Sequence, residues 1–233
     1  MASDDDGLHD AVLEHLASIT RQLSDADTLQ ETLQRIVDLG EALLEDCDGV
    51  SLMLIGKRGE IDTPAASSQV AYDSDMAQYA TGQGPCLGAI ADERTVIIED
   101  LETETRWPDY RARALGLGVR SMLSYRLFVT NDSMGALDMY SRQPHAFDRR
   151  STLVGQVFAA QASAAMKAAL VEAGHQTTIR SRDVIGQAKG IVMVHNRVTS
   201  DLAVEFLKRV SQHRNQKLVE LAEEIVRTGQ IPR

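Results

Sequence analysis

Apolar residues near the start of the chain recur at helical spacing. Leu8, Val12, Leu16, Ile19 and Leu23 draw one stripe along a helix predicted over 8–23. Asp27 stands where an N-cap belongs. A second helix follows over 28–46, with Leu29, Leu33, Ile36, Val37 and Leu43 inward. The first stripe serves equally for packing on its own domain or on a partner chain.

The pattern then changes to that of strands. VSLMLIG (50–56) is an apolar run bounded by glycines, TVIIED (95–100) is β-branched, and QVAYDS (69–74) is a weaker strand candidate. VRSMLSYRLFV (119–129) and GALDMYS (135–141) flank the turn-forming TNDSM and read as a hairpin. Its alternation puts Met122, Ser124, Arg126 and Phe128 on one side and Leu123, Tyr125, Leu127 and Val129 on the other. Between strands, TGQGPCLGAI (81–90) is a turn leading into a short helix, and RWPDYRARALGLG (106–118) is a loop and short helix with the only tryptophan. The glycines of 81–90 lack both the Gly-Lys-Ser/Thr ending of a phosphate loop and the dinucleotide-binding spacing. Antiparallel strands with helices before and after predict an α+β domain.

From Asp148 to about Val171 the chain is helical, with a narrow stripe of Leu153, Val157, Ala160, Ala164, Ala168 and Val171. That stripe fits a dimer seam or an internal packing helix. Beyond it no strand signal remains, and three helices are predicted. The first, 177–195, turns Ile185, Ala188, Val192 and His195 inward. The second follows a cap at Thr199 or Ser200 with Ala203, Phe206, Leu207 and Val210 inward. The third begins near Asn215 with Leu218, Leu221, Ala222, Ile225 and Val226 inward, and stops at Gly229 with Pro232 beyond. The expected organisation is an N-terminal helix (1–24), an α+β domain (25–170) and an all-α three-helix domain (171–233).

Charge sharpens this division. The net charge of −10 argues against an anionic partner for the molecule as a whole. Residues 171–233, however, hold ten Lys and Arg against seven Asp and Glu, with 14 against 27 in the remainder. Such a split suits an anionic partner met only by the tail. The acidic start, MASDDDGLHD, is unlike a secretory signal, and the sequence shows no apolar run near the ~20 residues that cross a bilayer, so a cytoplasmic protein with no membrane partner is expected. Cys47 and Cys86 are expected as reduced thiols, His9 and His15 as surface residues, and no Cys/His spacing predicts a metal.

Two stretches carry a family resemblance. SRDVIGQAKGIVM (181–193) followed by AVEFLKRVSQHRNQKLVELAEEIV (203–226) closely resembles the ANTAR domain: an Arg-x-x-Ile-x-x-Ala-Lys-Gly-Ile run, an Ala-x-x-x-Leu helix, then Ser-Gln-x-x-Asn-x-Lys-Leu. CDGVSLML (47–54), GQGPCLGAI (82–90), RWPDY (106–110), GVRSMLSYRL (118–127) and GALDMYSRQPHAFD (135–148) together resemble a GAF domain. The ANTAR resemblance implies binding to paired stem-loops of leader transcripts, which keeps a terminator from forming, commonly as a homodimer switched by an attached sensor. The GAF resemblance implies that sensor, with a small-molecule or other signal bound over its sheet.

On this reading Arg182 and Lys189, two turns apart, share one side of the first tail helix, and Asn196 would extend the row. Gly186 and Gly190 suit close approach, whether of another helix or of an RNA backbone. Lys208, Arg209, Gln212, His213, Arg214, Asn215 and Lys217 gather at the end of the second helix. Arg and Lys suit phosphates and Gln212 and Asn215 suit base edges. Arg182, Lys189, Arg209, Gln212, Arg214, Asn215 and Lys217 are therefore the candidate RNA contacts, and Cys86, Trp107 and Tyr110 the candidate ligand contacts. No catalytic residue is expected: Cys86 has no resolving cysteine nearby in sequence, which weighs against a thiol enzyme.

Overall fold

In the computed structural model, which describes residues 17–56, 59–91, 95–130 and 133–231, the strands obey the alternation read from the sequence. Five strands, β1 (Gly49–Ile55), β2 (Ile61–Ala66), β3 (Thr95–Ile98), β4 (Ser121–Thr130) and β5 (Ser133–Ser141), form one sheet in the order β2-β1-β5-β4-β3, all neighbours antiparallel. Register pairs Leu123 with Met139 and Ser124 with Asp138, so parity splits the sheet into two unlike faces. Val50, Leu52, Leu123, Tyr125, Leu127, Leu137 and Met139 point one way. Met53, Met122, Ser124, Ala136, Asp138 and Tyr140 alternate with them. The sequence pattern missed β2, because Ile-Asp-Thr-Pro-Ala-Ala is poor in β-formers, and Pro64 is tolerated only because the strand is an edge.

The first face is apolar and covered by helices. α1 (Leu29–Leu43) contributes Leu33, Ile36 and Val37, and the helical residues 17–24 contribute Ile19 and Leu23, which settle on their own domain. Leu8, Val12, Leu16, His9 and His15 lie outside the described residues. Thr28, not Asp27, caps α1, because only Thr28 has a glutamate three residues on: its hydroxyl accepts from Glu31 N–H while Glu31 accepts from Thr28 N–H.

The second face is covered by α2 (Gln69–Thr81), α3 (Pro85–Ala91) and α4 (Pro108–Gly116). Residues 69–74, expected as a strand, are helical. Ser68 caps the helix, and its buried positions Ala71, Ser74, Asp75 and Gln78 follow helical spacing with small and polar side chains.

The chain divides into two compact units, Met1–Leu170 and Val171–Arg233. Helix α5 (Arg149–Asn196) belongs to both, where two helices were expected. The only interruption between them is Gly174, whose cost of about 1 kcal/mol is too small to end a helix without proline or a cap. In the first unit α5 buries Phe158, Ala159, Ala162 and Met166. The stripe read from the sequence is the opposite face: Leu153 is 55% exposed, Val157 45% and Val171 47%, which removes internal packing as its role. By length and composition α5 is also the one described helix apolar enough to cross a membrane. Its apolar character comes largely from alanines, and its large side chains Phe158 and Met166 are buried in the domain core.

In the second unit, the end of α5, α6 (Ser200–His213) and α7 (Leu218–Thr228) enclose Ala188, Val192, Ala203, Leu207, Leu221, Ala222 and Ile225. Ile185, Phe206, Val210, Leu218 and Val226 pack around them. His195 is exposed instead of inward: α5 ends one residue later, and Arg197 turns the chain away at φ 55°. α7 starts at Leu218 rather than near Asn215, and Gly229 closes it in the left-handed conformation.

Candidate functional site

The second face of the sheet holds a cluster of polar side chains out of contact with solvent. Asp75 on α2 and Asp138 on β5 are both fully buried, with Gln78, Ser74, Ser124 and Tyr140 equally enclosed. Asp75 is well held: Thr63 donates to it at 2.8 Å, Gln78 at 3.5 Å, and the Tyr140 hydroxyl also donates. Burial still pushes the Asp75 carboxyl up to about 6 against those hydrogen bonds. Asp138 has no such support, and neither of its oxygens has a hydrogen-bond partner. Ser124 stands opposite it across β4 and β5, and its hydroxyl eases the Asp138 charge only weakly, without forming a well-aligned hydrogen bond. Burial, and after it the nearby Asp75 carboxylate, hold the Asp138 carboxyl well above the usual range.

Cys86 reaches the same place from α3. Its thiol lies 3.5 Å from Met53 Sδ, and its N–H donates to Gln78 Oε1 at 3.0 Å. Gly84 permits this: its φ of +143° suits glycine, and a Cβ there would lie 2.2 Å from Gln78 Oε1. Burial, then the Asp138 and Asp75 charges, raise the Cys86 thiol well above its ordinary value, so it is not an activated nucleophile. Cys47 belongs to the core on the opposite face, where burial pushes its thiol up to about 12. The two cysteines are free and on different sides of the sheet.

Of the other ligand candidates, Tyr110 is fully buried, sharing a 2.8 Å hydrogen bond with Ser74 and donating to Met122 Sδ at 2.8 Å. Trp107 is half-buried at the start of α4, lies close over Gly88, and has the Arg106 guanidinium 4.4 Å from its ring centroid. Sequence reasoning singled out Cys86 here but missed Asp75, Gln78 and Asp138. The available signal was the helical recurrence of 71, 74, 75 and 78 between Ser68 and Gly82, invisible to a count of apolar residues alone.

In the second unit the seven RNA candidates fall into two groups. Arg182 and Lys189 project from α5. Arg180 and Val184 line a groove with Gln216, Glu220, Glu223, Glu224 and Arg227. At about 100° per residue, Arg182 and Lys189 lie roughly 180–200° round the helix from Arg180, away from that groove. Neither has an acidic partner among the described residues. Arg209, Gln212, Arg214, Asn215 and Lys217 cluster at the end of α6. Arg214 pairs with Glu224 at 3.2 Å, Lys217 lies 3.9 Å from Glu220, and Arg209 sits 5.9 Å from the Phe206 ring.

Asn215 closes α6 instead of opening α7. At φ 50° it lets Gln216 N–H reach back to the Ser211 carbonyl at 3.0 Å. A Cβ at Gly186 or Gly190 would meet open space, so no close packing within the chain requires either glycine. Gly190 borders an apolar groove with Gln187, Ile191, Val194, His195 and Val226, in which Val194 is 81% exposed.

Comparison with known proteins agrees with this geometry. A family model for the GAF domain matches residues 26–167, and one for the ANTAR domain matches residues 174–226. The chain is 31% identical over 162 residues to the anaerobic nitric oxide reductase transcription regulator NorR of Serratia proteamaculans, a match covering 68% of this chain and 31% of that protein. It therefore spans under a third of that relative. Among solved structures, free methionine-R-sulfoxide reductase from Neisseria meningitidis superposes at a TM-score of 0.55 and 18% identity, covering 69% of this chain and 91% of that one. The GAF domain of an Acinetobacter phosphoenolpyruvate-protein phosphotransferase gives 0.55 at 17% identity, covering 70% and 98%. The Stigmatella aurantiaca phytochrome photosensory core module gives 0.57 at 12%, covering 83% and 43%. These structural likenesses are likenesses of fold.

Proposed function

The chain belongs to the GAF domain family and carries an ANTAR domain behind it, and from that premise we propose that it is a cytoplasmic, signal-responsive antitermination regulator whose tail binds hairpins in nascent transcripts. The pairing of the two domains is that of a signal-sensing regulator. The observation that carries the RNA reading is the ANTAR match over 174–226, on a unit whose Arg182 and Lys189 stand exposed or half-exposed on α5 without acidic partners among the described residues. Arg209, Gln212, Arg214, Asn215 and Lys217 form a second contact group at the α6–α7 turn. With Phe206 half-buried against the core, stacking of bases on aromatics is a minor term, and phosphate contacts dominate.

The protein acts as a homodimer, with Leu153, Val157 and Val171 of α5 as the seam. Two weakly basic tails then gain by effective concentration what one lacks. The first unit senses a small molecule or other signal and performs no catalysis; the raised thiol of Cys86 and the placement of Cys47 on the other face support that reading.

Gel shift with leader RNA carrying two hairpins tests this. Binding should weaken steeply with salt. Arg182→Ala with Lys189→Ala should reduce affinity and lower the slope of log K against log salt by about 0.7–0.9 for each phosphate no longer neutralised. Unchanged affinity and slope would remove these residues from the interface.

The apolar groove around Val194 favours a second reading, a protein-recruiting adaptor with no RNA. It predicts no salt-dependent RNA binding, and a loss of the partner on Val194→Glu.

A further inference from the structure

We infer that the first unit binds a divalent first-row transition ion between Asp75, Cys86 and Asp138. The three residues come from α2, α3 and β5, and one donor atom from each lies within 4.8 Å of the other two. A tetrahedral ion bound at about 2.0–2.3 Å holds its donors about 3.3–3.8 Å apart, so side-chain rotations that bring these atoms about 1 Å closer complete the coordination.

The independent pointer is what surrounds Asp138. Both its oxygens are fully enclosed with no well-formed hydrogen bond, the facing Ser124 hydroxyl easing the charge only weakly, although buried polar groups almost always have good partners. A cation satisfies Asp138, relieves its repulsion with Asp75 and converts the Cys86 thiol to a thiolate on binding, the proton leaving to solvent.

The surroundings resemble those of an oriented ligand. Thr63, Gln78 and Tyr140 hold Asp75 in place, and Gln78 also accepts from Cys86 N–H, tying α2 to α3. Two carboxylate oxygens and a sulfur form a mixed donor set. Calcium and magnesium prefer oxygen alone, and copper(I) prefers sulfur, which leaves ions such as zinc(II), iron(II) or cobalt(II). The inference deepens the sensing role proposed above by giving the signal a chemical class, but metal binding is measured without RNA, so either can fail alone.

Cobalt(II) is the probe, added to the full-length chain after chelator treatment. One equivalent should bind and give a thiolate-to-cobalt charge-transfer band in the near ultraviolet. Cys86→Ser should abolish the band while Cys47→Ser, on the other face of the sheet, keeps it. Asp138→Asn, close to the native side chain in shape, should lower cobalt affinity at least about tenfold. Zinc(II) should raise the Tm of the wild-type chain by mass action and raise that of Asp138→Asn by less, a readout that does not depend on how well Cys86→Ser folds. No cobalt band, a band that survives Cys86→Ser, or equal affinity and equal Tm shift in Asp138→Asn would overturn the inference.

Discussion

In the first unit the sheet's second face encloses Asp75, Gln78, Ser124 and Asp138, whereas the second unit closes over Ala188, Val192, Leu207, Leu221 and Ile225 and keeps its charges outside. Among the described residues, every buried polar or charged side chain belongs to the first unit. The larger unit can bear that cost because its sheet also carries a largely apolar face, where Leu52 of the sheet and Phe158 and Ile36 of the covering helices are fully buried. The smaller unit has one core of seven buried side chains, four of them no larger than valine, and nothing to spare for a polar interior. The contrast suits the proposed division of labour, in which a signal is met inside the first unit and RNA on the surface of the second.

Substitutions can break or sharpen this contrast. The largest effect is expected from Phe158→Ala, which empties the apolar face of the first unit and should cost about 3–5 kcal/mol in urea unfolding. If the units are energetically separate, a second transition belonging to the tail stays where it was; a common shift would show that α5 couples them. Leu221→Ala should cost about 2–5 kcal/mol and act on the tail transition, which has less core to lose. Gly84→Ala comes next, at about 1–3 kcal/mol from backbone strain alone, with the collision against Gln78 added, and should loosen Cys86 as judged by its rate of thiol labelling.

Smaller effects test the surface half of the contrast. Asn215→Ala should cost about 1 kcal/mol through its left-handed φ, while Asn215→Gly should be neutral or slightly stabilising. If RNA affinity drops in the glycine variant at unchanged stability, the Asn215 side chain contacts RNA; if only alanine lowers it, the residue serves the turn. Arg214→Ala should change stability by less than about 1 kcal/mol, since its pair with Glu224 is partly exposed.

Much of the fold was legible because it repeats locally. The hairpin of β4 and β5, the inward positions of α6 and α7 and the terminating Gly229 follow from periodicity and cap chemistry over a few residues. The failures share a cause. At 69–74 the buried residues are only alanine and serine, so an apolar count saw a strand where the helix has Ala71, Ser74, Asp75 and Gln78 facing in. Between 171 and 177 the lower apolar content suggested a break, yet nothing there stops a helix. On α5 the small-residue stripe was legible, but its side was not, because sequence does not say which of two apolar faces meets the sheet.

Family, domain order and the cationic character of the tail were written in the sequence alone, since motif spacing and charge need no partner from elsewhere in the chain. The tertiary structure alone decided that Asp75, Cys86 and Asp138 meet, that Arg214 is spoken for by Glu224, and that Leu153 and Val157 remain in solvent. Each is a meeting, or the lack of one, between segments distant along the chain. It is fixed by the register of five strands and by the helix faces laid over them, which no local pattern encodes.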